Sequence, residues 1–154
     1  SGPDKVGAGV YMHWHDTRCT VYIDTTGESL SRRGYRKNPW KAPLQETLAA
    51  AIVMSSRWDR TVPLVHPMCG SATVAIEAAL IALNTPAGMH RQDYGFMHLR
   101  GYDAARWEGL KQSAIKDRIP VGPRIIATDR DRAAADAARN NATSGARRYP
   151  ARKV

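Results

Sequence analysis

Cysteine is scarce in this 154-residue sequence: Cys19 and Cys69 stand far apart and neither has a C-x-x-C partner. That argues against a disulfide framework or a zinc site and suits a reducing cytoplasm. No apolar run approaches the roughly 20 residues of a membrane span, and no basic-then-apolar signal peptide opens the chain. A soluble cytoplasmic protein with no membrane partner is therefore expected. Internal repeats and low-complexity tracts are absent as well. So is G-x-G-x-x-G, which disfavours an NAD-dependent oxidoreductase. No metal is expected either, because His13 and His15 share one strand face without a third ligand. Acidic side chains are outnumbered, with 14 Asp and Glu against 23 Lys and Arg, a net charge of +9. An excess of that size points to a polyanionic partner, nucleic acid first.

What is present reads as one globular domain, 43% hydrophobic and 24% charged, long enough to bury a core without staples. Residues 1–8 are expected to be a disordered N-terminus or a cloning remnant. From Gly9 to His15, Val10, Met12 and Trp14 alternate with Tyr11, His13 and His15, and Cys19 to Asp24 repeats the alternation after a short polar link. The pattern predicts a β-hairpin. A helix is predicted from Pro43, with Glu46 in its first turn and an apolar stripe of Leu44, Leu48, Ala51 and Ile52, ending at Ser55 to Arg57. Val62 to His66 reads as a buried strand, Pro67 to Ser71 as a turn, and Thr73 to Leu83 as a helix apolar on nearly every side. A long excursion follows. Within it Asp103 caps a helix carrying Trp107, Leu110, Ala114 and Ile115. Arg124 to Thr128 is a second buried strand, and Asp131 to Thr143 an alanine-rich helix with Gly145 in the position of a C-terminal cap. This order is that of an α/β protein with a parallel sheet and crossover helices. Its parts are residues 9–41 (hairpin and basic segment), 42–83 (helix and turn), 84–122 (an insertion) and 123–154 (second strand and helix).

The turn His66-Pro67-Met68-Cys69-Gly70-Ser71 lies between a buried strand and a buried helix, where open α/β sheets bind ligands. Gly70 lets backbone approach a ligand, and free N–H groups at the next helix start can receive a carboxylate. The alternative for Gly70 is a plain tight turn. Asp129 follows the next buried strand, where nucleotide-binding folds place an acid for the ribose hydroxyls; helix capping is its other reading. Cys69 reads as a small buried side chain rather than a nucleophile. Arg32, Arg33, Arg36, Lys37 and Lys41, interleaved with Tyr35 and Trp40, form either an RNA-contacting segment or a solvated charged loop.

Several ordered blocks carry a resemblance. Asp24-Thr25-Thr26-Gly27-Glu28-Ser29-Leu30 is followed by Arg33-Gly34-Tyr35-Arg36, by Ala42-Pro43-Leu44 with Glu46-Thr47-Leu48-Ala49-Ala50-Ala51, by Pro67-Met68-Cys69-Gly70-Ser71, and by Thr128-Asp129. From about Val10 to Gly145 the chain resembles the methylase domain of THUMP-associated guanine-N2 RNA methyltransferases of the large-subunit ribosomal RNA type. The resemblance implies an incomplete Rossmann-like S-adenosylmethionine-dependent methyltransferase fold preceded by a β-hairpin. It implies that the backbone from His66 to Ser71 cradles the methionine moiety of S-adenosylmethionine, that Glu46 and Thr47 flank it, and that Asp129 takes the ribose. The implied partner is RNA, ribosomal ahead of transfer, with methylation at guanine N2. The family's Asn-Pro-Pro-Tyr-type segment does not occur in this sequence, so no catalytic residue is assigned and the chain alone is expected to be inactive. Nor is there room upstream for a THUMP domain, so a fragment or a natural truncation is expected. A non-catalytic cofactor- or nucleic-acid-binding module derived from the fold is the alternative. Two departures matter. His66 stands where the family has Asp, and protonated it would repel the cofactor ammonium. Ala72 replaces a Gly, which is costly only if its φ is positive.

Overall fold

The computed structural model describes residues 7–150. The expectation for residues 1–8 therefore falls mostly outside the described residues. The N-terminal hairpin forms from β1 (Gly9–His15) and β2 (Arg18–Asp24), paired antiparallel from Gly9 opposite Asp24 to His15 opposite Arg18. Asp16 adopts a positive φ of 51° in the two-residue turn, the hand that matches strand twist. Both faces of this two-stranded ribbon are open, with Val10, Met12, Trp14, Val21 and Ile23 exposed on one and Tyr11 and Tyr22 on the other.

A second, parallel pair joins β3 (Leu64–His66) to β4 (Ile125–Ala127) in the register Leu64 with Ile125 and His66 with Ala127. Around it lie α1 (Glu46–Ser55), α2 (Thr73–Ala82), α3 (Ala104–Lys116) and α4 (Arg132–Arg148). α2 is central, packing against α1, α4 and β4, and none of its residues is exposed. The core runs through Tyr35, Cys69, Ile76, Leu80, Ala138 and Tyr149. Asp103 and Asp131 cap α3 and α4, accepting from the N–H groups of Arg106 and Ala133, both at 2.9 Å. Residues 84–122 are ordered by an aromatic cluster in which Trp107 meets Tyr94 and Phe96 edge-on at 5.5 and 5.0 Å.

Three expectations need correction. α1 begins at Glu46, not Pro43, and buries Glu46, Ala49 and Val53, whereas Leu48 and Ile52 of the expected stripe are 50% and 47% exposed. The methyl of Ala49 allows α1 to lie close to α2, and an ion pair draws Glu46 inward, so the helix is rotated by about one residue's 100°. The strand expected from Val62 begins at Leu64, and neither it nor β4 is buried as expected: Val65 is 60% exposed and Ala127 is exposed, because a two-stranded sheet leaves part of its surface uncovered. Gly145 does not cap α4: the helix continues through it, with the Tyr149 N–H donating to the Gly145 carbonyl at 2.7 Å, and ends at Tyr149. A Cβ there would sit at ordinary contact distance, 3.6 Å from Ile76 Cγ2 and 3.8 Å from Tyr35 Cβ.

Candidate cofactor-binding site

The turn between β3 and α2 is tied to the end of β4 by a short ladder. The Thr128 N–H donates to the His66 carbonyl at 3.0 Å and the Cys69 N–H to the Thr128 carbonyl at 2.9 Å. Asp129 then spans the two segments: its Oδ2 accepts from the Gly70 N–H at 2.9 Å and its Oδ1 from the Asp131 N–H at 3.0 Å. Those two backbone donors hold its carboxyl below the ordinary carboxylate range. It is therefore an anion whose remaining lone pairs face outward at the tip of the strands.

Gly70 has φ +52°, and a Cβ built on it would meet nothing within 4 Å, so its backbone borders open space. Ala72 is the N-cap of α2 at φ 65° and ψ 24°, with no side chain capping the helix. No N-cap side chain therefore satisfies the first N–H groups of α2. His66 is half-buried, and its Nδ1 is enclosed without a hydrogen-bond partner. Burial holds its imidazole below the ordinary value against the opposing pull of Asp129, which keeps the ring neutral and able to accept. The Cys69 thiol is pushed up by burial and by Asp129, as befits a packing group rather than a nucleophile. Pro67 is exposed and Met68 is 82% exposed, while Ser71 is buried.

Arg36 joins the starts of α1 and α2. Its Nη2 donates to Thr73 Oγ1 at 3.1 Å and to the Leu44 carbonyl, and lies 3.4 Å from Glu46 Oε2. Glu46 and neighbouring Thr47 are thereby brought to the same end of the fold as the turn. The structure gives a structural reason for three of the seven residues read as RNA contacts. Tyr35 is 1% exposed and donates to Glu77 Oε1 at 2.9 Å. Arg33 pairs with the same oxygen at 3.1 Å, and Arg36 is spent as described. These three build the interior and are not a stacking surface. Arg32, Lys37 and Lys41 remain exposed, with Lys41 Nζ 5.5 Å from the centre of the half-buried Trp40 ring.

Two residues escaped the sequence reading. Glu77 is the buried anion just described; a lone charge in an otherwise apolar helix was its signal. Asn141 is 1% exposed and uses every hydrogen-bonding position. Its Oδ1 accepts from the N–H groups of Lys37 and Asn38 at 2.8 and 2.9 Å, and its Nδ2 donates to the carbonyls of Asn38 and Ser71 at 2.8 and 3.1 Å. It fixes the basic segment to the last residue of the turn, a role no local pattern announces. Among the described residues no cluster of three His, Cys, Asp or Glu could hold a metal, and no helix is long and apolar enough to cross a membrane.

A parallel β-turn-α unit with an acid after the neighbouring strand defines a Rossmann-like α/β unit with a small sheet, and the comparisons with known proteins make it a methyltransferase domain. The chain belongs to the UPF0020 family, whose RMKL-like methyltransferase domain matches residues 33–148. The ribosomal RNA large subunit methyltransferase K/L of Vibrio cholerae (strain O395) is 41% identical over 111 residues, which is 72% of this chain and 16% of the relative. The chain therefore spans only a small part of that curated relative. Among solved structures, SMU.472, described as a methyltransferase complexed with SAH, superposes with a TM-score of 0.78 at 34% identity, covering 92% of this chain and 37% of that one. A methylase from Clostridium difficile 630 gives 0.79 at 35% identity, with 95% and 38% covered.

Proposed function

We propose that this chain is the cofactor-binding part of an S-adenosylmethionine-dependent RNA methyltransferase that acts on guanine N2 of ribosomal RNA in the cytoplasm. The observation that carries the reading is the turn from His66 to Ser71, where Gly70 is open on one side and bound to Asp129 on the other, beside an uncapped helix start. When bound, S-adenosylmethionine supplies a methyl group on a sulfonium, a good leaving group that needs no metal. The turn's backbone and the first N–H groups of α2 suit the carboxylate of an amino acid, and neutral His66 can accept from its ammonium. Asp129 suits the ribose hydroxyls, with Glu46 and Thr47 flanking. Ribosomal RNA is favoured over transfer RNA by the name of the Vibrio relative.

An exocyclic guanine amine has a delocalised lone pair, so transfer requires acceptors aimed at its N–H groups. The Asn-Pro-Pro-Tyr-type segment that would provide them does not occur in these residues. Asn141 cannot take its place, because all its hydrogen-bonding positions are filled. The 154-residue chain is therefore expected to bind cofactor without transferring methyl groups. The test is calorimetry with S-adenosylhomocysteine and, separately, NAD. Binding of the former alone is expected, weakened about tenfold or more in Asp129→Ala, as for loss of charged hydrogen bonds. Absence of binding, or unchanged affinity in a folded Asp129→Ala, would remove the site. Tritium from labelled S-adenosylmethionine appearing in a guanine of ribosomal RNA would show that the chain suffices for catalysis.

A further inference from the structure

Away from the cofactor turn, three segments distant in sequence bring cations to one place. Arg32 and Arg33 follow the hairpin, His90 and Arg91 belong to the excursion, and Arg148 is in the last turn of α4; all line a cavity of about 100 Å3. Among the ion pairs of the described residues, two carboxylates answer them: Glu28 on Arg32 at 3.0 Å and Glu77 on Arg33 at 3.1 Å. Arg91 donates to the neutral carbonyls of Thr26, Glu28 and Asp93 and lies over the Tyr94 ring at 4.6 Å, so its charge is not cancelled. The Asp93 carboxylate is turned to His98. Arg148 lies flat against Gly34, where a Cβ would fall 2.8 Å from its Cζ, and among the described residues no carboxylate pairs with it. Among the described residues, four guanidinium charges in ion-pair contact with two carboxylates leave two in excess. Nε2 of His90 is buried without a hydrogen-bond partner.

Like charges gathered in a partly enclosed cavity repel, and an anion between them reverses the sign of that interaction. Guanidinium groups also match the oxygens of a phosphate in pairs. We propose that this cavity is an oxyanion site that takes a backbone phosphate of the RNA strand, a proposal that rests on the RNA-substrate reading above. Arg148 and Arg91 supply charge, Arg32 closes the outer side, and an N–H on His90 Nε2 gives a directed donor. The site is coupled to the cofactor end through Arg33 and Glu77 of α2, so a phosphate held here fixes the register of the strand rather than reading its sequence.

The test is anisotropy of a short fluorescein-labelled oligoribonucleotide across a salt series, with Arg148→Gln and the more exposed Arg32→Gln, each checked for a native melting temperature. Each is expected to weaken binding about three- to tenfold and to lower the slope of log affinity against log salt by about one. Inorganic phosphate, at ionic strength matched with chloride, is expected to displace RNA from the native chain more effectively than from Arg148→Gln. Native affinity and slope in both variants would overturn the proposal. Phosphate binding by a chain that ignores RNA would overturn the RNA source, and binding of neither would overturn the site. S-adenosylhomocysteine affinity, measured on the same samples and expected to be unchanged, reports separately on the methyltransferase reading.

Discussion

Ala72 holds a left-handed backbone at the entrance to α2, a conformation costing an L-residue roughly 1–2 kcal/mol, while its methyl is 3% exposed and returns about 0.8 kcal/mol. Glycine's larger unfolded-chain entropy adds about 0.4–1 kcal/mol in favour of Ala72, and the terms then nearly cancel. Ala72→Gly is expected to unfold in urea within about 0.5 kcal/mol of the native chain. Ala78→Gly, fully buried in the helix interior, is expected to lose about 2 kcal/mol from propensity and burial together. Equal losses at the two positions would contradict the left-handed cap. Glu77 gives a pH signature. Burial raises its carboxyl above the ordinary range, against the pull of Arg33 and Tyr35. A raised acid takes up a proton more readily when folded, so the stability linked to it is greatest below the unfolded value and is lost as pH rises through the folded one. Glu77→Gln is expected to flatten that decline in urea midpoints; a native slope would assign it to another group. Of the candidate site, what was legible is the placement of Gly70 and Asp129 at the ends of neighbouring strands, because strand-turn-helix patterning sets it. Tyr35 was not, because an aromatic among arginines reads as a stacking surface until its partner, 42 residues away, is known.

At the scale of elements, what was legible is what neighbouring residues decide. The alternating hairpin, the apolar α2 and the Asp caps of α3 and α4 follow from local periodicity and capping chemistry. The buried face of α1 is chosen by its partner instead: Ala49 admits α2 and Arg36 draws in Glu46, which leaves the longer apolar residues outside. Gly145 reads from sequence as a cap because glycine is common at helix ends, whereas α4 runs through it. Its place inside α4 has a measurable consequence. An added methyl meets Ile76 and Tyr35 at ordinary contact distances, so Gly145→Ala is expected to stabilise the chain by about 1 kcal/mol from helix propensity. Gly145→Leu, which needs more room, is expected to destabilise it. A loss in the alanine variant, read by thermal or urea unfolding, would show that the two helices are closer than described.

The whole molecule divides into a helical body knitted by Glu77, Asn141 and Asp129, and a hairpin joined to it near its base. There the Phe96 N–H donates to the Thr25 carbonyl at 3.0 Å, and a Cβ on Gly95 would fall 2.2 Å from the Asp24 carbonyl oxygen. The α/β class was legible from the order of elements, since helices alternating with short apolar strands leave few architectures. The separation of the hairpin from the parallel strands followed from the family resemblance and not from alternation, which describes a strand and says nothing of which sheet it joins. That separation sets two clocks. A two-stranded ribbon open on both faces is marginal alone, so the amide protons of its seven paired positions can be traded for deuterium by opening of the ribbon, without disturbing the body. Amides in α2 must wait for unfolding of the body itself. Exchange followed by mass spectrometry is expected to label residues 9–24 well before 73–82, in a protein whose melting curve nevertheless reports chiefly on the slower part.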